Sequence, residues 1–197
     1  MKKILIVEDE IIVSSDLKEF LQGINYETAV ANYYDEAIAV ATLFLPDLIL
    51  CDINLNDSRN GVDLIKHLQT MGLKFEVIYL TAYSSEDLIS EAEDTAPFNY
   101  LTKPYNDTQI EVAVRLVFNF INQQTKVGSL LDKITAMELK VLELIASQKT
   151  SKEIAELLHI SDKTVRNHRY NIVKKIGIPI ANNSLSKWAI SNFKSIT

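Results

Sequence analysis

Up to about residue 121 the chain switches repeatedly between two hydrophobic periods, and that alternation limits its fold more than any other feature. Runs rich in Ile, Leu and Val occupy residues 4–7, 48–51 and 77–80, with weaker runs at 28–31 and 98–101. Between them apolar residues fall at helical spacing: Val13, Leu17, Phe20 and Leu21; Ala37, Ile38, Ala41 and Phe44; Val62, Ile65 and Leu68; Ile110, Val114, Val117 and Ile121. A strand that is apolar without alternation is buried on both faces, and amphipathic helices are what cover it. Strand and helix in turn predict a doubly wound, five-stranded parallel sheet.

The pattern stops near residue 121. Residues 122–133 are polar, include the pair Gly128-Ser129, and read as a linker into which the preceding helix can run. From Thr135 the period is helical only. Its stripes are Met137, Val141, Leu144 and Ile145; Ile154, Leu157 and Leu158; and Val165, Ile172 and Ile176, with Trp188 and Phe193 in a terminal helix. Two domains are expected, 1–121 and 134–197. The charge divides at the same place: residues 1–121 hold 8 basic and 20 acidic side chains, residues 122–197 hold 12 and 6. An acidic domain suits cations and a basic one a polyanion, although such charges also arise simply to keep a surface soluble. The single cysteine, Cys51, excludes an internal disulfide framework and a cysteine-only zinc site. The longest apolar stretch, 37–45, is far below the roughly 20 residues of a membrane helix. Glu8-Asp9-Glu10 ends the apolar start too early for a signal peptide. A cytoplasmic protein without a membrane partner is expected.

In open parallel sheets ligands bind beyond the carboxyl ends of the strands. There the sequence places Glu8 and Asp9 after the first strand, Asp52 at the end of the third, Thr81 at the end of the fourth and Lys103 after the fifth. Singly, each is an ordinary turn or cap residue. Together, three carboxylates at one edge repel one another unless a cation neutralises them, and Mg²⁺ binds through one or two carboxylates while keeping several waters. A lysine and a hydroxyl beside it suit phosphoryl oxygens, and a carboxylate can itself accept a phosphoryl group.

The segments Ile4-Leu5-Ile6-Val7-Glu8-Asp9-Glu10, Pro46-Asp47-Leu48-Ile49-Leu50-Cys51-Asp52-Ile53-Asn54-Leu55, Thr81-Ala82 and Tyr100-Leu101-Thr102-Lys103-Pro104 resemble the receiver domain of two-component response regulators. The resemblance covers about residues 2–121. It implies a flavodoxin-like fold with Asp52 as phosphoacceptor, and Mg²⁺ bound by Asp9 and Asp52, by Glu8 through water, and by the backbone carbonyl of Asn54. It implies that Thr81 and Lys103 contact the phosphoryl oxygens and that Tyr100 is an aromatic switch that turns inward when Thr81 moves. The donor it implies is a cognate histidine kinase. Phosphoryl transfer to and hydrolysis from Asp52 would be the only chemistry of a protein that is not otherwise an enzyme. Two departures stand out. The loop Asn54-Leu55-Asn56-Asp57-Ser58-Arg59-Asn60-Gly61 lacks a proline after its leucine and reaches its glycine one residue later than many receivers do. Its geometry is expected to differ while metal binding stays intact. Ala96-Pro97-Phe98 stands where a Gly-Ala pair is common.

In the second domain, Ser151 is placed to cap one helix, residues 159–161 make a turn, and Ser161 caps the next helix. On a helical wheel Val165, Ile172 and Ile176 form a core stripe. Lys163, Arg166, Asn167, Tyr170 and Lys174 fall opposite, within about 100° and with no acid among them. Arginine matches guanine edges, asparagine adenine edges, and lysine phosphates. The segments Ser151-Lys152-Glu153-Ile154-Ala155, Ile160-Ser161, Lys163-Thr164-Val165-Arg166-Asn167-His168 and Lys175-Ile176-Gly177-Ile178 resemble a LuxR/NarL-type helix-turn-helix, over about residues 133–197. The resemblance implies that Arg166, Asn167 and Tyr170 face the major groove, that Lys163 and Thr164 touch the DNA backbone, and that the terminal helix pairs protomers. Here too there are departures. Ser147-Gln148-Lys149 replaces a usual glycine, and Pro179-Ile180-Ala181-Asn182-Asn183 replaces a usual Asn-Arg pair.

The combined expectation is a response regulator whose phosphorylation at Asp52 switches dimerisation and binding to double-stranded DNA, with RNA polymerase as a further partner. Two other readings stand beside it. One is an aspartyl-phosphate enzyme, although Asn54 occupies the place where a second acid is wanted. The other is a protein-binding regulator that does not use DNA.

Overall fold

The computed structural model describes residues 1–56, 58–82, 86–181 and 183–193. They form two compact units, Met1–Phe118 and Asn119–Thr197. In the first, strands β1 (Lys3–Val7), β2 (Glu27–Ala31), β3 (Leu48–Asp52), β4 (Glu76–Thr81) and β5 (Asn99–Thr102) alternate with helices α1 (Ile11–Gly23), α2 (Tyr34–Phe44), α3 (Gly61–Thr70) and α4 (Glu86–Glu93), and α5 (Asp107–Leu131) follows. The strands pair in the order β2-β1-β3-β4-β5, all parallel. Leu5 sits between Ala29 and Ile49, and Asp52 lies beside Leu80. The central strands are buried on both faces, as their unbroken apolar runs require: Ile4, Leu5, Ile6, Leu48, Ile49 and Leu50 are all at 0% exposure. The chain leaves β1 for β2 on one side, then returns to β3 on the other. This reversal opens a crevice at the carboxyl ends of β1 and β3.

The stretch expected to link the domains is helical through Leu131. Gln123, Gln124 and Lys126 are good helix formers and outweigh the roughly 1 kcal/mol that Gly128 costs. Helix α4 lies where the sequence showed no apolar stripe.

The second unit adds α6 (Ala136–Ala146), α7 (Ser151–Leu158), α8 (Asp162–Ile176) and α9 (Ser184–Phe193) around a core of Val141, Leu142, Ile145, Ile154, Val165, Ile172, Leu185 and Ala189. Three of the sequence expectations change here. The cap of α7 is Thr150, not Ser151: the Thr150 hydroxyl accepts from the Glu153 N–H in a full capping box. Met137 and Leu157, expected in the core, are 39% and 55% exposed. Helix α7 turns Ile154 and Ala155 inward instead, and α6 buries Glu138, at 3% exposure, where Met137 was expected. That acid is tolerated because the Lys175 ammonium and the Thr135 N–H and hydroxyl all bond to its Oε2. Burial opposes its charge, but these donors outweigh it and hold the carboxyl below its usual range.

Both segments that depart from a common glycine-containing pattern adopt left-handed backbone, at Ala96 (φ 50°) and Gln148 (φ 59°). A side chain there costs roughly 1–2 kcal/mol that glycine avoids.

Candidate functional site

The sheet reversal gathers the acidic residues. Glu8 follows β1 and is fully buried. Its backbone is fixed by the Asn32 amide, which donates to the Glu8 carbonyl at 2.6 Å, and by its own N–H donating to Ala31. Asp9 is next, and Asp52 ends β3. Carboxylate oxygens of Glu8, Asp9 and Asp52 all lie within 4.8 Å of one another. Lys103, just past β5, donates from Nζ to Asp52 Oδ2 at 2.6 Å and to both Glu8 oxygens at 2.8 and 2.9 Å. The other Asp52 oxygen accepts from the Asn54 N–H at 2.9 Å. Thr81 is buried at the end of β4, and its carbonyl accepts from the Lys103 N–H at 2.7 Å. Five residues expected at one edge, Glu8, Asp9, Asp52, Thr81 and Lys103, are thus at one edge, with Asn54 bonded to Asp52.

One ammonium serves two buried acids, so three carboxylates keep an unbalanced charge. Burial, with help from Asp52 and Asp9, pushes Glu8 up to about 7 despite its bond to Lys103. Burial works against the Lys103 charge too, but the bonds to Asp52 and Glu8 prevail and keep it above the ordinary lysine value. The excess negative charge therefore falls on the acids, and an all-oxygen donor set of this kind matches a hard divalent cation. Burial pushes the neighbouring Cys51 thiol up, which removes it as a nucleophile.

Tyr100 stacks on Tyr79, with centroids 5.7 Å apart, and packs against the core. Its buried hydroxyl has no partner among the described residues.

Several residues of this site carried no sequence signal. Asn56 donates to Asp9 Oδ2 at 2.6 Å across 47 positions. Tyr105 buries beside the acids a hydroxyl that has no partner among the described residues, and burial followed by the Glu8 charge raises it to about 12. Gly61 did carry a signal, as the glycine of the lengthened loop, and its packing explains the residue type. A Cβ there would lie 2.0 Å from the Asp52 carbonyl oxygen and 2.8 Å from Cys51 Sγ. Backbone cannot yield as a flexible side chain can. Gly61→Ala is expected to cost about 1–3 kcal/mol or more. In a thermal melt the first unit should then unfold at least about 4 °C lower. An unchanged melt would mean that the loop moves aside freely.

In the second unit, α7 ends at His159 in left-handed backbone, and Ser161 caps α8 by accepting from the Thr164 N–H at 3.0 Å. Lys163, Arg166, Asn167, Tyr170 and Lys174 are all exposed along one side of α8. Thr164 is half-buried, its hydroxyl 2.7 Å from that of Ser161. The stripe is not free of acid, however. Asp162 Oδ2 pairs with Arg166 Nη2 at 2.7 Å, one turn apart on the same face. The Lys174 ammonium lies 4.8 Å from the Tyr170 ring centre.

The described residues thus form a parallel-sheet domain with an acidic crevice, followed by a helix-turn-helix with a largely basic exposed face. Comparison with known proteins agrees. Residues 4–115 match the family described as response regulator receiver domain, and residues 132–182 match bacterial regulatory proteins of the luxR family. The chain is 28% identical over 189 residues to a nitrate/nitrite response regulator protein homolog of Haemophilus influenzae, covering 89% of this chain and 90% of the relative. It is 31% identical over 205 residues to the transcriptional regulatory protein LnrK of Bacillus subtilis, covering 90% and 92%. The solved chemotaxis protein CheY4 of Vibrio cholerae superposes with a TM-score of 0.56 at 25% identity, covering 59% of this chain and 98% of that one.

The chain belongs to the response regulators that combine a receiver domain with a LuxR-family helix-turn-helix domain. It is accordingly a transcriptional regulator rather than a classical enzyme. The receiver implies a histidine kinase as partner, and the second domain implies DNA binding. Among the described residues no helix is long and apolar enough to cross a membrane.

Proposed function

We propose that this response regulator accepts a phosphoryl group on Asp52 and that the modification switches its pairing and its affinity for double-stranded DNA. The observation that carries the reading is the shared ammonium of Lys103, 2.6 Å from Asp52 and 2.8 Å from Glu8, with Asp9 in the same cluster.

An Asp52 oxygen attacks the phosphorus of the kinase phosphohistidine. The new bond is Asp52 O–P, the N–P bond breaks, and the imidazole keeps the electron pair. Glu8, Asp9, Asp52 and the Asn54 carbonyl are the residues that would hold Mg²⁺. When bound, the ion neutralises charge between the carboxylate and the incoming phosphoryl group. Lys103 already sits on Asp52 and follows the added charge, and the Thr81 hydroxyl takes another phosphoryl oxygen. Tyr100 then relays the change in β4 and β5 to the surface around α4 and α5. Water reverses the modification by hydrolysing the acyl phosphate. In this reading, residues 1–121 form the switch, 122–133 the connection and 134–197 the DNA reader. Helix α9 joins two protomers on DNA in the cytoplasm, within reach of RNA polymerase.

The test adds Mg²⁺ and a small-molecule phosphodonor, then follows protein mass, oligomeric mass and DNA affinity. Wild type should gain one phosphoryl group, pair, and tighten on DNA. Unchanged pairing and affinity in a phosphorylated protein would overturn the switch.

The raised Glu8 gives this site a pH dependence of definite sign. A cation that draws on the Glu8 carboxylate must release its proton while that group sits near 7. Mg²⁺ affinity, measured by calorimetry, should rise from pH 6 to pH 8, by up to about tenfold per unit below the midpoint. Glu8→Gln should flatten the profile. A flat wild-type profile would remove Glu8 from the cation site.

A further inference from the structure

Three of the described residues tie down the lengthened loop between β3 and α3. Leu55 buries its side chain in the core at 7% exposure. Asn60 caps α3 reciprocally with Asp63. Between them Arg59 lies 3.7 Å from the Tyr34 ring centre and bonds Asp35 at 2.9 Å, which fastens the loop to α2. Among the described residues of this loop, Asn56 is the one whose side chain reaches Asp9: its Nδ2 donates to Asp9 Oδ2 at 2.6 Å.

Asp9 differs from its neighbours in what holds it. Lys103 serves Glu8 and Asp52. Among the described residues no cation pairs with Asp9, and the Asn56 amide is its hydrogen-bond donor. A carboxylate next to two others, without a fixed donor, turns away from them to reduce repulsion. A neutral N–H donor on one oxygen orients the group without neutralising it, and leaves the other oxygen for a ligand. Partners that orient ligating carboxylates typically contribute about 10–100-fold to metal affinity.

We propose that Asn56 is a positioning residue for Asp9, holding its carboxylate ready for a divalent cation, and that Arg59 acts through Asn56 by fixing the loop. The proposal rests on the reading of Glu8, Asp9 and Asp52 as a cation site. It assigns a purpose to the departure after Leu55, since Asn56, standing where many receivers have a proline, supplies the amide that reaches Asp9.

The experiment is a calorimetric Mg²⁺ titration of the full chain, together with melts in metal-free buffer. Asn56→Ala should weaken Mg²⁺ at least about tenfold. Its metal-free melt should stay close to wild type, because Asn56 is exposed. Arg59→Ala should weaken Mg²⁺ less, and the double variant should be no weaker than Asn56→Ala alone, because coupled residues are not additive. Unchanged or tighter binding by Asn56→Ala overturns the positioning role, and additive losses overturn the link through Arg59. A wild type that binds no Mg²⁺ overturns the cation site itself, an outcome distinct from a wild type that binds and a variant that binds equally.

Discussion

Asp52→Asn should fold normally and take up no phosphoryl group from a small-molecule donor under conditions in which wild type is fully converted. The amide retains the shape of the carboxylate, so its oxygen can still accept the Asn54 N–H, and Lys103 keeps its bonds to both Glu8 oxygens. The variant loses the Lys103 bond to the second Asp52 oxygen but opens no cavity, and its melt should remain cooperative. It does lose the nucleophile, because an amide oxygen does not displace a phosphoryl group at useful rates. The crevice also drops from three carboxylates to two, which weakens the pull on a divalent cation. Intact mass spectrometry reads the result directly: one phosphoryl increment in wild type, none in the variant. The change in pairing and DNA affinity should vanish with it. Equal labelling of the two proteins would place the modification on another residue, and an Asp52→Asn protein that still tightened on DNA would detach the switch from Asp52.

The acid cluster was legible in the sequence because each member is anchored to a strand end, and strand ends follow from hydrophobic pattern alone. Glu8, Asp52, Thr81 and Lys103 needed only the correct period and the rule that ligands gather at the carboxyl edge. The contacts that organise the loop were not legible in this way. Asn56 meets Asp9 and Arg59 meets Tyr34 through tertiary approach, with no periodic trace. The same holds in the second unit. Glu138 is buried because Lys175, 37 positions later, comes to rest on it, and Met137 stands at the surface instead. A wheel sorted by hydrophobicity gives Asp162 no place on the basic stripe. Asp162 lies on that stripe because an acid four residues before an arginine reaches it on any helix. Period fixes which face is apolar, whereas the pairings among polar groups depend on distances that only the folded chain supplies.

That ion pair shapes the other large effect, which concerns DNA. Arg166→Ala should weaken binding to a duplex selected by the wild-type protein by about 1–3 kcal/mol and relax sequence preference at one base position. An arginine held at one nitrogen by Asp162 keeps its remaining donors aligned for a guanine edge, so its loss removes a preset reader. The loss is compounded because Asp162 then adds an uncompensated negative charge to the same face. Lys163→Ala, which removes a charge proposed to meet the DNA backbone, should weaken all duplexes about equally and reduce the salt slope by about 1. The double variant should combine both signatures and fall more than about 100-fold at 0.1 M salt. Fluorescence anisotropy across a salt series, on the selected duplex and on a scrambled one, separates the two contributions. If both single variants bound like wild type, with the same slope, the exposed basic face of α8 would be a solvated surface and the regulator would act through a protein partner instead. If Arg166→Ala lost affinity uniformly while sequence preference survived, base reading would lie with Asn167 and Tyr170, and the Asp162–Arg166 pair would serve the phosphate backbone.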